Sequence, residues 1–273
     1  MNLCLKKLLI IKERIKYILK IASYNVNSIR SRLHIVTPWL RKNKPDLFCM
    51  QETKVEDAKF PIREFTDLGY EVFFKGNKQY NGVAVAVKQK PTKVHFGLEG
   101  EPADVDRLVV LYLEDLIILN AYVPQGQEVS KPQYAYKLEW LKRLKEYLQK
   151  NFIPEQKLVL CGDFNVAPLR IDVHDPKRIL GHVSFNPQVW KAHENLLSWG
   201  LIDIFRLHHP DEPGQYTFFD YRVNDSVGRN LGWRVDHILA TKLLAQKSKS
   251  CVIDLSTRIA DKASDHAVIY AQW

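Results

Sequence analysis

The sequence predicts an α/β fold in which mixed sheets are covered by helices, and three observations carry that expectation. From about Lys20 onward, short β-type runs alternate with helical stretches. Asp115, set between Leu113 and Ile117, marks a tight hairpin, so some strand pairs are antiparallel. No linker-like change of composition divides the chain, so the alternation belongs to one domain.

Strands are expected at Ile18–Tyr24, Leu47–Met50, Gly82–Val87, Leu108–Leu113, Ile117–Val123 and Lys157–Cys161. Three more follow at Val235–Ala240, Cys251–Leu255 and Ala267–Ala271; these runs are rich in β-branched residues or bounded by turn formers. Helices are expected near Leu33–Lys42, Tyr134–Gln149 and Val189–Ser198. In the second, Leu138, Leu141, Leu144 and Leu148 recur at three- and four-residue steps, an amphipathic stripe that faces a core. The segments Lys88–Asp106, Ala167–Pro187 and His208–Leu231 read as long loops, and long loops on a rigid α/β core are where function usually sits.

With 273 residues and 46% hydrophobic composition the chain can bury a large core. Forty Lys and Arg against 31 Asp and Glu leave a net charge of +9, which favours polyanionic partners, nucleic acid first and anionic membrane second. Cys4, Cys49, Cys161 and Cys251 show no CxxC spacing, which argues against structural zinc and fits a reducing cytoplasm. No apolar stretch approaches the ~20 residues that span a bilayer, so no integral membrane association is expected. Residues 1–19 form a basic extension, either a short amphipathic helix or the product of too early a start codon; no small-residue cleavage site follows it. Residues 20–273 form the single folded domain.

The residues that carry chemistry stand at strand ends, in five places. In SYNVNSIR an apolar strand ends in Asn25 and Asn27, which strand periodicity points to one side. In LFCMQETK a buried strand runs into Gln51 and Glu52, and a carboxylate at such a mouth is a natural hard ligand for Mg²⁺. NAYVPQG places Tyr122 at a strand end, just before a turn containing Gln125. In LVLCGDFNVAP an apolar strand opens through Gly162 into Asp163 and Asn165, an acid–amide pair able to orient a water and a phosphate oxygen. The last place is split between GWRVDHIL and SDH, where Asp236 and His266 form a candidate dyad. There is no GxxxxGK, GxGxxG, HExxH or GxSxG motif. Asp, Glu, Asn, His and Tyr converging on one cleft are the equipment for metal-assisted attack of water on a phosphate ester.

At these residues the sequence closely resembles the exonuclease III family of AP endonucleases, within the endonuclease/exonuclease/phosphatase superfamily. The resemblance runs from Lys20 to Trp273 through SYNVNSIR, QETK, NAYVPQG, GDFNVAP, LIDIFR, YTFFDYR, GWRVDHIL and SDH, with IDVHDPKR particular to this branch. It implies a four-layered α/β sandwich, two mixed β-sheets flanked by helices, with the active site at one edge. It implies a nuclease acting on double-stranded DNA at abasic sites and 3′ ends, with Mg²⁺ as cofactor and Mn²⁺ as a possible substitute, and a monomer in the cytoplasm. Glu52 would be the principal metal ligand, assisted by Asn27 or Asp265, with Asp163, Asn165 and His266 completing the candidate ligand set. Asp163 would position or deprotonate the attacking water; whether it or the metal centre generates the nucleophile stays open. Asn165 and Asn25 would hold the phosphate and the neighbouring acids, Gln125 would bind the phosphate backbone, and His266, paired with Asp236, would stabilise developing negative charge. Tyr122 would bind phosphate or assist the leaving oxygen. Phe218 and Trp233 would wall a pocket for a base-less deoxyribose, and Arg222 would enter the DNA groove.

The chain departs from some relatives in carrying Asn27 where they have Asp, and Gln125 where they have Asn. Two rival readings are a catalytically inactive DNA-binding scaffold and a phosphodiesterase tethered to membranes by the basic N-terminus. The presence of Glu52, Asp163, Asp236 and His266 together argues against the first.

Overall fold

Alternate residues of the central strands enter two different apolar layers, which is why their sequences read as nearly unbroken hydrophobic runs. The structure, a computed structural model, describes residues 19–273. It begins with β1 (Lys20–Asn25), α1 (Ile29–Asn43), β2 (Leu47–Gln51), α2 (Arg63–Thr66), β3 (Glu71–Lys75) and β4 (Val83–Val87). Strands β5 (Lys93–Phe96), β6 (Leu108–Tyr112) and β7 (Ile117–Tyr122) lead to the long helix α3 (Pro132–Asn151) and β8 (Leu158–Asp163). There follow α4 (Pro187–Leu197), β9 (Leu201–Asp203), α5 (Ile204–His208), β10 (Asp236–Thr241), α6 (Lys242–Ala245), β11 (Ser250–Asp254) and β12 (Val268–Gln272).

These strands build two six-stranded sheets, ordered β11-β12-β1-β2-β4-β3 and β5-β6-β7-β8-β10-β9. Each contains one parallel pair at its centre, β1 with β2 and β7 with β8, and is otherwise antiparallel, so both are mixed as expected. Leu47 and Cys49 of β2, with Val83, Val85 and Val87 of β4, face the layer between the sheets, where they meet Val159 and Cys161 of β8. The alternate residues Phe48, Met50, Ala84 and Ala86 face outward onto Val36, Trp39 and Leu40 of α1. On the far side, Leu158 and Leu160 pack against Trp140, Leu141, Leu144 and Leu148 of α3. The four layers are therefore helix, sheet, sheet, helix.

The inter-sheet layer is not wholly apolar. Asn120 on β7 reaches across it and donates to the carbonyls of Met50 (2.9 Å) and Ala84 (3.0 Å), and its Oδ1 accepts from Gln51 Nε2 at 2.6 Å. Both side chains are fully buried. The bridge fixes the register of one sheet on the other one residue before Glu52 and two before Tyr122. Asn120→Leu keeps the branching of the side chain but strips a partner from the Met50 and Ala84 carbonyls and one of two from Gln51, which keeps Ser23, at about 1–3 kcal/mol for each group left unpaired. We expect the urea midpoint to fall at unchanged slope; an unaltered midpoint would show that the bridge adds no stability.

Several elements differ from the sequence expectation. Helix α1 starts at Ile29, four residues early, and runs through Pro38, because burial of Ile35, Val36, Trp39 and Leu40 outweighs the lost hydrogen bond. It ends at Asn43 and is capped by Lys44, in the left-handed region at φ 47°. Strand β1 stops at Asn25, so Asn27 lies beyond it and the periodicity argument does not apply. Strands β3, β5 and β9 were not expected: they are short, and β3 and β5 carry exposed charges that break the apolar pattern. β5 occupies part of the expected loop Lys88–Asp106. Expectations for residues 1–18, including a membrane tether and the Ile18 start of the first strand, lie outside the described residues. Among the described residues no helix is long and apolar enough to cross a membrane.

Candidate active site

Both central parallel pairs end at the same edge of the sandwich, and the first sheet meets the second there in matching turns. Asn25 ends β1 and Asp163 ends β8. Two residues later Asn27 and Asn165 adopt left-handed backbones, with φ of 42° and 53°. Each then turns its own N–H back onto the preceding side chain: Asn27 onto Asn25 Oδ1 (3.0 Å) and Asn165 onto Asp163 Oδ1 (2.8 Å). Asparagine tolerates this conformation better than most residues, which explains the residue type at both corners. Gly162 is needed because a Cβ there would lie 1.9 Å from the Ala121 carbonyl on the parallel neighbour. The close approach is thus between strands.

At the floor of the edge, Asn25 holds two acids apart. Its Nδ2 donates to Glu52 Oε1 and to Asp163 Oδ2, 2.9 Å in each case. Glu52 itself adopts φ 50°, a left-handed backbone uncommon for a side chain of this kind. Asp236, first residue of β10, pairs with Asp163 in register, and its Oδ2 accepts from His266 Nδ1 at 2.8 Å. Asp236 Oδ1 is buried and has no hydrogen-bond partner among the described residues. The other ring nitrogen of His266, Nε2, lies 3.9 Å from Asp163 Oδ2. Burial disfavours the imidazolium, but Asp236 and Asp163 outweigh it and raise the His266 pKa to about 10. Burial pushes Asp163 upward despite His266, with Asp236 and Glu52 adding repulsion. Burial also acts against Glu52, but Lys54 and Asn25 hold its carboxyl below the usual range. The Tyr122 phenol is buried beside Glu52 and Asp163, and burial together with their charge keeps it protonated well above its ordinary value.

The oxygens of Glu52 and Asn27 converge on one cationic point. Lys54 Nζ stands 2.7 Å from Glu52 Oε2 and 2.7 Å from Asn27 Oδ1, while Asn27 Nδ2 donates to Asp265 Oδ1 at 2.9 Å. An oxygen-only donor set gathered around a positive charge suits a hard divalent cation. Asp163, Asp236 and His266 form a second buried group whose ligand atoms lie within 4.8 Å of one another. Both groups have the donors to hold a metal ion, the Glu52 side through oxygens alone and the second through two carboxylates and an imidazole.

Above this floor opens a cavity of about 220 Å³, lined by Glu52, Asn165, Phe218, Trp233 and His266, with Gln125, His182, Asp220 and Arg222 at its rim. The rings of Phe218 and Trp233 lie 5.7 Å apart, and Phe218 stands 5.1 Å from the His266 ring. His182 packs edge-on to Trp233 at 4.6 Å, and burial lowers its pKa to about 4. Gln125 is exposed, its Oε1 accepting from Gln127 N at 2.6 Å. Arg222 is also exposed and grips Asp220, with Nη2 2.7 Å from Oδ2. A larger cavity of about 640 Å³, lined in part by Leu47, Val87, Leu116 and Trp273, opens at the opposite strand ends, away from this chemistry.

Residues 22–266 match the endonuclease/exonuclease/phosphatase family. The chain belongs to this family. It is 33% identical over 267 residues to exodeoxyribonuclease III of Haemophilus influenzae, covering 93% of this chain and 100% of that protein. Among solved structures it is similar to an AP endonuclease from Archaeoglobus fulgidus, at 50% identity, TM-score 0.91 and coverage of 93% and 98% of the two chains. It is also similar to a 3′ phosphatase from Neisseria bound to a product DNA hairpin, at 36% identity and TM-score 0.89, with the same coverage. The chain is a hydrolytic enzyme of the exodeoxyribonuclease III and AP endonuclease kind.

The family motifs also contain residues that sequence reasoning left without a role. Arg234 is fully buried between Asp172 of IDVHDPKR (Nε to Oδ1 2.6 Å) and Asp203 of LIDIFR (Nη1 to Oδ2 2.8 Å). Arg206 joins Asp172 at 2.5 Å, and Arg234 Nη1 meets His237 Nδ1 at 3.0 Å. Arg234 stands in the chain between Trp233 and Asp236, and removing one partner of the network would strand a buried charge. Lys137 is buried as well, and burial lowers its pKa to about 7. A signal for it existed: it stands four residues before Leu141 and seven before Leu144, on the core face of the α3 stripe.

Proposed function

We propose that this enzyme is a DNA repair nuclease that cleaves phosphodiesters 5′ to abasic sites and removes 3′ nucleotides or 3′ blocking groups from duplex DNA. The observation that carries the reading is the pair of acids, Glu52 and Asp163, held 2.9 Å from one Asn25 amide beside a His266–Asp236 dyad and under an aromatic cavity. Asp163 takes the proton of the attacking water, and its raised pKa suits it to that task near neutral pH. The His266 imidazolium, fixed by Asp236, presents Nε2–H to a non-bridging phosphate oxygen and stabilises charge as it develops. Tyr122, protonated throughout, donates to phosphate or to the leaving oxygen. Asn165 and Gln125 bound the phosphate. Glu52, with Asn27 and Asp265 beside it, holds a divalent cation, Mg²⁺ with Mn²⁺ as a substitute, which when bound neutralises phosphate charge and favours ionisation of water. The net charge of +9 supports a polyanionic partner, and we place the enzyme in the cytoplasm as a monomer.

Phe218 and Trp233 select a sugar that has lost its base. An intact nucleotide would carry its base into the cavity of about 220 Å³ and must be unstacked first. The test compares kcat/KM on duplexes bearing an abasic analogue, a recessed 3′ end and a 3′-phosphate. Trp233→Ala and Phe218→Ala are expected to lose about one to two decades, roughly 1–3 kcal/mol, on the abasic duplex and less on the 3′-phosphate. Equal losses on both would reduce the rings to general packing. A greater loss on the 3′-phosphate would make the enzyme a 3′-end processor.

A further inference from the structure

Three loops wall the cavity, one after β7 with Gln125, one after β8 with Asn165, and one before α4 with His182 and Ser184. A single buried side chain reaches all three. Lys137 Nζ donates to the carbonyls of Asn165 (2.7 Å), Val183 (2.9 Å) and Gln125 (3.3 Å). In its charged form, which burial disfavours, the amino group has three donors and no acceptor, and every N–H it then owns is committed to a different loop. Other links between these loops are pairwise, such as Asn165 Nδ2 to the Val123 carbonyl at 3.0 Å and Ala167 N to the Ser184 carbonyl at 2.9 Å.

We propose that Lys137 is a positioning residue whose ammonium fastens these three loops into one rigid wall, so that Gln125 and Asn165 stand preset for a phosphodiester. The inference rests on the reading that the cleft receives a DNA phosphate. Its physical basis is cost. An apolar residue would satisfy the core face of α3 without burying a charge, so a charge there needs a return from the three carbonyls it serves. The stem is anchored on the second sheet through the α3 stripe with Leu141 and Leu144. One turn earlier on the same helix, the Tyr134 hydroxyl donates to Asn186 Oδ1 at 2.7 Å, and Asn186 Nδ2 donates to the His182 carbonyl at 2.8 Å, so the third loop is tied twice. Gly126 makes the first loop fit: at φ 96°, a Cβ there would meet Lys137 Cδ at 3.2 Å. Nothing in this arrangement places Lys137 against substrate. It acts through the carbonyls, and a misplacement of about 1 Å at a reacting centre costs on the order of 100-fold in rate.

Native-state hydrogen exchange on the full chain, followed through a series of sub-denaturing urea concentrations, reads the wall directly. Amides near Gln127, Ala167 and Val183 in the wild type are expected to open together, with one urea dependence. In Lys137→Met, which keeps the apolar stem, these three segments exchange at least about ten-fold faster while β7, β8 and α3 stay protected. Its kcat on a 3′-phosphate duplex falls about 100-fold, with duplex affinity changed less than about three-fold. Independent opening of the three loops in the wild type overturns the proposal, as does an unchanged kcat or faster exchange confined to α3. Should Lys137→Met fail to fold, the wild-type urea series decides alone. A wild type that cuts none of the duplexes would refute the nuclease reading, while the exchange pattern would still settle the role of Lys137.

Discussion

Asp163→Asn is expected to lower kcat by about two to four orders of magnitude on abasic and 3′-phosphate duplexes alike, the range a positioned base contributes. The carboxylate accepts from Asn25 Nδ2, Asn165 Nδ2 and Asn165 N, so it is surrounded by donors. An amide offers one oxygen where the site asks for two, and it cannot take the proton of water. The same change removes one of the charges that hold His266 as a cation. In the metal-free enzyme the His266 ring is expected to titrate near 10 by NMR, and lower in Asp163→Asn and in Asp236→Asn. The sign follows from burial, which alone would push the imidazole below its ordinary 6.5; only the carboxylates lift it above. The contribution of the dyad to stability is therefore complete below about pH 6.5 and disappears as pH rises through about 10. A wild-type His266 titrating at 6.5 or lower would remove the imidazolium from the mechanism.

Glu52→Gln is expected to abolish metal-dependent cleavage, a loss of three orders of magnitude or about 4 kcal/mol, with the fold intact. The side chain keeps its size but loses its charge and one of its two acceptor oxygens, so either Asn25 or Lys54 gives up its bond to it. Calorimetric titration of Mg²⁺ separates this from a loss of DNA binding: the variant should show no saturable heat while duplex affinity in chelator equals that of the wild type. Full turnover by the variant, or by the wild type in chelator, would dismiss the metal.

Much of the site was legible because its residues are carried on strand ends, where an apolar run stopping at Glu52, Tyr122 or Asp163 announces a polar edge. For Asn27 and Asn165 strand periodicity is an incomplete guide. Both sit beyond their strands, turned back by a left-handed residue, a geometry that strand periodicity does not describe. Lys137 is absent from the apolar stripe because a lysine does not count towards it, although its spacing from Leu141 and Leu144 puts it on the core face. Asp172, Asp203, Arg206 and Arg234 were recognisable as motif letters, but their mutual pairing spans more than sixty residues of chain between Asp172 and Arg234. No local pattern encodes such a partner.

The sequence by itself determined the layers and the chemical inventory, because both depend on local physics. Alternation of apolar residues at a period of two or of three to four selects strand or helix, and the motifs name the acids, amides and histidine available. Only the tertiary structure decided which charges those groups carry and which loops they bind. The His266 pKa is raised because Asp236 from β10 and Asp163 from β8 flank a residue that precedes β12. Lys137 is a fastener because three carbonyls from separate loops meet at its tip. Protonation and hydrogen bonding depend on distance in space and on exclusion of water, and a linear sequence specifies neither until the two sheets close on one another.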